Sequence, residues 1–146
     1  MKVILQRVSS ASVKVDNQIV NEISNGLLLL VGFTHNDTIN DIDYMVRKII
    51  NLRIFNDDNG KMNKSIKDVK GNILSISQFT LYANTVNGNR PSFIDSMPYN
   101  QAEKLYEIFN NELNNIIPTL GGIFGADMKV NLINDGPVTI ILDSNK

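Results

Sequence analysis

The sequence predicts an α/β protein, a mixed sheet in a three-layer β/β/α arrangement with two main helices packed on one side. Strand-like alternation and short apolar runs fill the first third and the last stretch of the chain. Two apolar stripes with a period near 3.6 lie between them. Strands early, helices in the middle and strands late bury their apolar faces best as helices laid on one side of a sheet. At 146 residues the chain reads as one domain, 1–146, able to bury most of the surface its unfolded form exposes.

Met1-Lys2-Val3-Ile4-Leu5-Gln6-Arg7 reads as a first strand, since charge interrupts the apolar run long before it could be a signal peptide or membrane helix. Val13 and Val15 alternate with Ser12 and Lys14, Asp16-Asn17 supplies a turn, and Ile19 and Ile23 follow at even spacing. Asn25-Gly26 turns the chain into Leu27–Val31, an antiparallel opening meander. The run from Leu27 to Phe33 suits a strand buried on both faces. Ile39, Ile42, Met45, Val46, Ile49 and Ile50 share one helical face, with Asp37 or Thr38 placed to cap its start. Asn56–Gly60 is a polar turn leading to a lysine-bearing segment, and Asn72–Leu81 is a strand rich in Ile, Leu and Phe.

From Asn84 to Pro98 the chain is a loop, of a length that commonly carries function. A second helix runs from about Tyr99 to Asn115, with Ala102, Leu105, Tyr106, Phe109 and Leu113 on one face, and Pro118 forbids its continuation. Finally, Met128, Val130 and Leu132 alternate with Asp127, Lys129 and Asn131, and Asn134-Asp135-Gly136-Pro137 turns the chain into Val138–Leu142, a terminal pair of strands.

Composition narrows the chemistry. There is no cysteine, so disulfides, thiolate metal sites and cysteine nucleophiles are excluded and a reducing cytoplasm fits. Neither a metal nor a cofactor is expected: the one histidine, His35, has no partner spacing for a metal and lies in a polar turn, where it is exposed or capping rather than a base. No nucleophile elbow accompanies it. Gly121-Gly122 with Gly125 lacks the spacing of a dinucleotide loop and reads as a turn. The net charge of −1 gives no long-range attraction to nucleic acid, although Lys61, Lys64, Lys67 and Lys70 against Asp68 make a local +3. That segment is either a solvated face or a phosphate contact.

Two polar interruptions of apolar strands are candidates for chemistry. Ser77, Gln78 and Thr80 fall where a buried strand ends, and polar side chains there need partners to offset desolvation. Such an end either bonds neighbouring backbone or, with its free amides, forms an oxyanion hole for acyl transfer. Gly136-Pro137 is either an ordinary hairpin turn or a place where backbone carbonyls stand with no side chain beside them.

At these segments the sequence resembles the D-aminoacyl-tRNA deacylase family, through Ser77-Gln78-Phe79-Thr80 and Asn134-Asp135-Gly136-Pro137-Val138-Thr139. The resemblance extends to Gln6-Arg7-Val8, Ala11-Ser12-Val13, Arg53-Ile54-Phe55, Gly60-Lys61-Met62-Asn63, Arg90-Pro91-Ser92-Phe93 and Phe124-Gly125-Ala126-Asp127-Met128. It departs at Gly121, where the family often has Thr or Ser. The resemblance implies a cytoplasmic homodimer, acting on aminoacyl-tRNA with no membrane involved, that hydrolyses the ester of D-aminoacyl-tRNA and of mischarged Gly-tRNA. It implies a cis Gly136-Pro137 bond reaching into the partner's site to select by chirality, steadied by Arg7. It implies a pocket in which Ser77, Gln78, Phe79 and Thr80 surround the ester, with Phe79 and Thr80 amides on the carbonyl oxygen. Phe124 and Ala102 would line the place of the terminal adenosine, where an aromatic can stack a base. Lys64 and Lys67 are the candidate tRNA contacts.

Thr80 has no visible base to activate it, which favours an RNA-assisted attack by water over a covalent route. The alternatives are a Thr80-dependent small-molecule esterase and a non-catalytic tRNA-binding module.

Overall fold

One long strand organises the molecule. In the computed structural model, which describes residues 1–145, β1 (Lys2–Val15) pairs antiparallel along one edge with the last strand, β8 (Lys129–Asp143). On its other edge the C-terminal half takes β2 (Gln18–Ile23) and the N-terminal half takes β3 (Gly26–Gly32). The expected meander is therefore replaced by the order β2-β1-β3. The cause is length: β1 has 14 residues, and its partners have 6 and 7, so a single edge holds both. β3 then pairs parallel with β6 (Asn72–Ser77), and β6 pairs parallel with β7 (Thr119–Gly121), giving the mixed sheet. Asn21 Nδ2 donates to Gly121 O at 2.6 Å, so β2 approaches β7 and nearly closes the sheet on itself.

Two cores follow from strand periodicity. Leu27, Leu29, Val31, Ile73, Val3 and Leu5 point at the helices, whereas Leu28, Leu74, Ile76, Val8, Ala11 and Val13 fill the space between the two halves of the curled sheet. β3 is thus buried on both faces, and the three layers are sheet, sheet and helices. Along β1 the inward side switches core between Leu5 and Val8, where the register against β8 shifts. A bulge moves the side-chain set to the other face.

α1 (Ile39–Asn51) buries Ile42, Met45, Val46, Ile49 and Ile50, and Asp41 Oδ2 accepts the Thr38 amide at 2.8 Å to cap its start. Ile39, expected on the buried stripe, lies in the first turn and is exposed. α2 (Tyr99–Asn114) buries Ala102, Tyr106, Phe109 and Leu113. The Asn56–Gly60 turn closes a small hairpin, β4 (Phe55–Asn56) with β5 (Met62–Lys64), because Asp57 Oδ1 accepts the amides of Asn59 and Lys61. The α-amine of Met1 is buried in an ion pair with Asp37. None of the described helices is long and apolar enough to cross a membrane.

Two expectations about strands are corrected. The strand expected over Asn72–Leu81 ends at Ser77: β3 has run out by then, the last ladder bond is Gln78 N–H to Val31 O at 2.7 Å, and the chain turns into a 3-10 helix, Phe79–Tyr82. The expected terminal pair of strands is the single strand β8, with no reversal at Gly136-Pro137. Gln6 pairs with Thr139 and Val8 with Asn134, so residues 135–138 stand opposite Arg7 alone and bulge out of the ladder.

Candidate active site

The end of β6, the end of β3, the start of α2 and the loop before β8 enclose a cavity of about 540 Å³. Its walls include Ser77, Gln78, Phe79, Ala102 and Phe124, so five of the predicted site residues meet here. A second groove of about 600 Å³, between Lys2, Tyr44, Leu81 and Ile141, holds none of them. Of these two cavities the first is the candidate site, since there a polar strand end meets an aromatic wall.

The Ser77–Thr80 segment leaves the sheet with donors unspent. Gln78 N–H ends the ladder, and the next bond along the chain is Leu81 N–H to Gln78 O at 3.2 Å. The amides of Phe79 and Thr80 between them open the 3-10 turn, where first amides have no internal acceptor, and no side chain caps them. Gln78 Nε2 donates to Thr80 Oγ1, and Ser96 Oγ donates to Phe79 O at 3.0 Å, which fixes the turn from both sides. Thr80, expected at the ester, is exposed and not among the residues lining the cavity, because the chain turns away after Phe79, and its hydroxyl meets an amide rather than a base. His35 is exposed and its Nε2 is 2.7 Å from Ile94 O.

Phe124 belongs to both core and pocket. Its ring meets Tyr99 edge-on at 5.0 Å and Tyr106 at 5.6 Å, and it packs partly buried on the helix-side core while lining the cavity. Tyr106 joins this wall to the strand end: its hydroxyl donates to Ser75 O at 2.7 Å, and burial pushes its pKa up, keeping it a donor. Tyr99, Met97, Ser96, Gly32 and Met128 also line the cavity and were missed from sequence. Tyr99 had a signal, since 99, 102 and 106 share a helical face. Gly32 had none: only the fold shows that a Cβ there would come within 2.9 Å of Gln78 O.

The remaining predicted residues sit elsewhere. Gly136 and Pro137 are joined by a cis peptide bond, are exposed, and line no part of this subunit's cavity. Arg7 is buried behind them, with Nε 3.0 Å from Asp135 Oδ2 and 3.3 Å from Asp135 O, and Nη1 donating to Ile54 O at 2.6 Å. Gly136 has φ +118, and a Cβ there would lie 2.8 Å from Arg7 Nη2 and 2.9 Å from Val138 Cγ2, so no L side chain fits. Asn134, quoted in the motif without a role, ties the bulge: its Nδ2 donates to Arg7 O at 3.0 Å and Val138 O at 2.9 Å. Lys64 pairs with Asp58 at 2.7 Å and Lys67 donates to Asn51 Oδ1 at 3.0 Å; neither lines the cavity. Among the described residues no three His, Cys, Asp or Glu side chains gather as metal ligands.

The family model for D-Tyr-tRNA(Tyr) deacylase matches residues 4–143. Among solved structures, the c-Myc DNA unwinding element binding protein is similar at 43% identity and a TM-score of 0.90, over 98% of each chain. A probable eukaryotic D-amino acid tRNA deacylase shares the fold, with a TM-score of 0.83 over 97% of each chain, at 17% identity.

Proposed function

The chain belongs to the D-Tyr-tRNA(Tyr) deacylase family, hydrolases that act on an ester bond, and from that premise we propose how its pocket removes a D-amino acid from tRNA. The carrying observation is the pair of unpartnered amides, Phe79 and Thr80, in the turn that leaves an aromatic-walled cavity at Phe79. They stabilise the oxyanion that forms when water adds to the ester carbonyl, a contribution of about 10²–10³ in rate per donor in such sites. The C–O bond to the ribose then breaks, and the ribose oxygen leaves with a proton. Because the Thr80 hydroxyl is engaged by Gln78 and has no base, the neighbouring ribose hydroxyl of the substrate organises the water. Ser77 and Gln78 frame the ester, and the terminal adenosine stacks on Phe124 above Ala102.

Chirality is selected across a homodimer. The Gly136-Pro137 bulge is exposed, bare of side chains at Gly136, held by Arg7 and absent from its own subunit's cavity, which suits it to enter the partner's. Its carbonyls accept the amino group of a D-residue or of glycine and leave no space for an L side chain, so Gly-tRNA is also a substrate. The homodimer itself is supported by β8, whose outer edge is unpaired over 15 residues and which exposes Ile133 and Ile141. A role in clearing aminoacyl-tRNA fits an enzyme of the cytoplasm.

The test is single-turnover ester loss from matched D- and L-Tyr-tRNA, with wild type and Thr80→Ala. We expect rapid loss of the D-ester only, and a Thr80→Ala enzyme that binds normally and retains most of its rate. Hydrolysis of the L-ester, or none of the D-ester, overturns the proposal. Complete loss of activity in a folded, tRNA-binding Thr80→Ala protein removes the RNA-assisted route and favours the Thr80 esterase; turnover of simple D-amino acid esters without RNA does the same.

A further inference from the structure

The Arg7 guanidinium joins two segments that lie far apart in sequence. One side of it holds Asp135 O and the Asp135 carboxylate, its Nη2 lies against Gly136, and its Nη1 donates to Ile54 O at 2.6 Å. Arg7 is 6% exposed, so this junction is a packed one. Ile54 is the residue immediately before β4, so Arg7 tethers the base of the β4–β5 hairpin to the Gly136-Pro137 bulge.

That hairpin and the segment after it carry the cations. Residues 53–70 hold Arg53, Lys61, Lys64, Lys67 and Lys70 against Asp57, Asp58 and Asp68, on a chain whose net charge is −1. Two of the three carboxylates are occupied by turns: Asp57 accepts the Asn59 and Lys61 amides, and Asp68 accepts the Ser65 amide and hydroxyl. Arg53 is exposed and is oriented by its Nε, which donates to Asn63 O at 3.1 Å. The Lys64–Asp58 pair involves a carboxylate that is 95% exposed, where a surface pair is worth little and exchanges readily for a phosphate. No residue from 53 to 70 lines the cavity of its own subunit.

We infer that the β4–β5 hairpin, with Lys61 just before β5 and Arg53 held against it through Asn63 O, binds the phosphate backbone of the tRNA whose ester lies in the partner subunit's pocket. This rests on the homodimer proposed above: a bulge that enters the partner's site brings the hairpin tethered to it to that site's rim. Each tRNA is then held in trans, its 3′ end in one subunit and its adjacent phosphates on the other. The chemistry of recognition is sequence-independent charge, so it is salt-sensitive.

Mixed dimers separate trans from cis. Two differently tagged chains are co-purified, one with its pocket filled by Ala126→Trp and one with its pocket open, and Arg53→Glu with Lys61→Glu is placed on either chain. Each dimer then has one working pocket. Affinity for uncharged tRNA and single-turnover deacylation are measured across a salt series, with Arg53→Gln and Lys61→Gln as a milder pair. Reversal on the filled chain is expected to weaken tRNA affinity on the order of tenfold and to flatten the log–log salt slope by about 0.7–0.9 for each phosphate that is no longer neutralised. The Gln pair is expected to act in the same direction, and reversal on the open chain is expected to leave the open pocket's affinity and rate unchanged. An effect only when reversal and open pocket share a chain, or no effect from either chain, overturns the inference while leaving the deacylase reading intact. Monomers in sedimentation overturn it together with the homodimer, and tRNA binding in trans without any ester loss keeps it while the deacylase reading fails.

Discussion

At the scale of single residues, the departure noted at Gly121 leaves a trace in the structure. Gly121 stands where Thr or Ser is common, and beside it Asn110 Oδ1 is buried with no hydrogen-bond partner. A Cβ on Gly121 would lie 3.4 Å from Asn110 Nδ2 and 3.4 Å from the Tyr106 hydroxyl, at the near limit of ordinary contact, so a side-chain hydroxyl there would have polar groups to bond. Gly121→Ser is expected to stabilise the fold by about 0.5–1 kcal/mol, from the new hydrogen bond and the smaller entropy of the unfolded chain, read as a higher denaturation midpoint. An unchanged or lower midpoint would show that the Asn110 amide turns away from that space. The same scale shows how far sequence reaches. Ser77, Gln78 and Thr80 were legible as a polar strand end because desolvation acts on residue type alone. Gly32 was not, because the requirement for glycine comes from Gln78 and Leu81 in a different segment.

At the scale of elements, periodicity carried both helices and the doubly buried β3, since burial on a helix or strand repeats at a fixed interval. It failed at β8, where Asn-Asp-Gly-Pro has the composition of a turn but the neighbouring strand keeps the chain on course. What distinguishes a bulge from a hairpin is the partner strand, and β1 lies more than a hundred residues away in sequence. Asn134 is the local device that makes the bulge hold its shape, bonding the carbonyls on either side of it. Asn134→Ala removes three hydrogen bonds, two of them to backbone carbonyls at a partly buried position, with an expected stability loss of about 1–3 kcal/mol by denaturant titration. On the proposed role of Gly136-Pro137, discrimination between D- and L-aminoacyl-tRNA falls as well; unaltered discrimination would mean that Arg7 alone is enough to aim the bulge.

At the scale of the whole molecule, the layers follow from one strand long enough to serve two partners, a length the sequence showed only as a short apolar run at Met1–Arg7 and a separate alternating run at Ser12–Val15. The edge of β8 away from β1 pairs with no other strand among the described residues, and the strand exposes Ile133 at 62% and Ile141 at 73%. Ile133→Lys with Ile141→Lys is expected to give a folded monomer, seen as a halved mass in sedimentation with an unchanged circular dichroism spectrum. A wild-type protein that is monomeric at micromolar concentration would instead show that this edge is not covered by a second copy.

Asp135, which Arg7 holds, lies on the same strand that exposes this edge, and that has a consequence for how accuracy depends on abundance. If the selecting segment acts only in the neighbouring subunit, dilution removes assembly and stereochemical discrimination together, by mass action. An enzyme of this construction loses its fidelity below its dimer dissociation constant, while each pocket remains chemically complete. Error rate then becomes a function of expression level as well as of sequence.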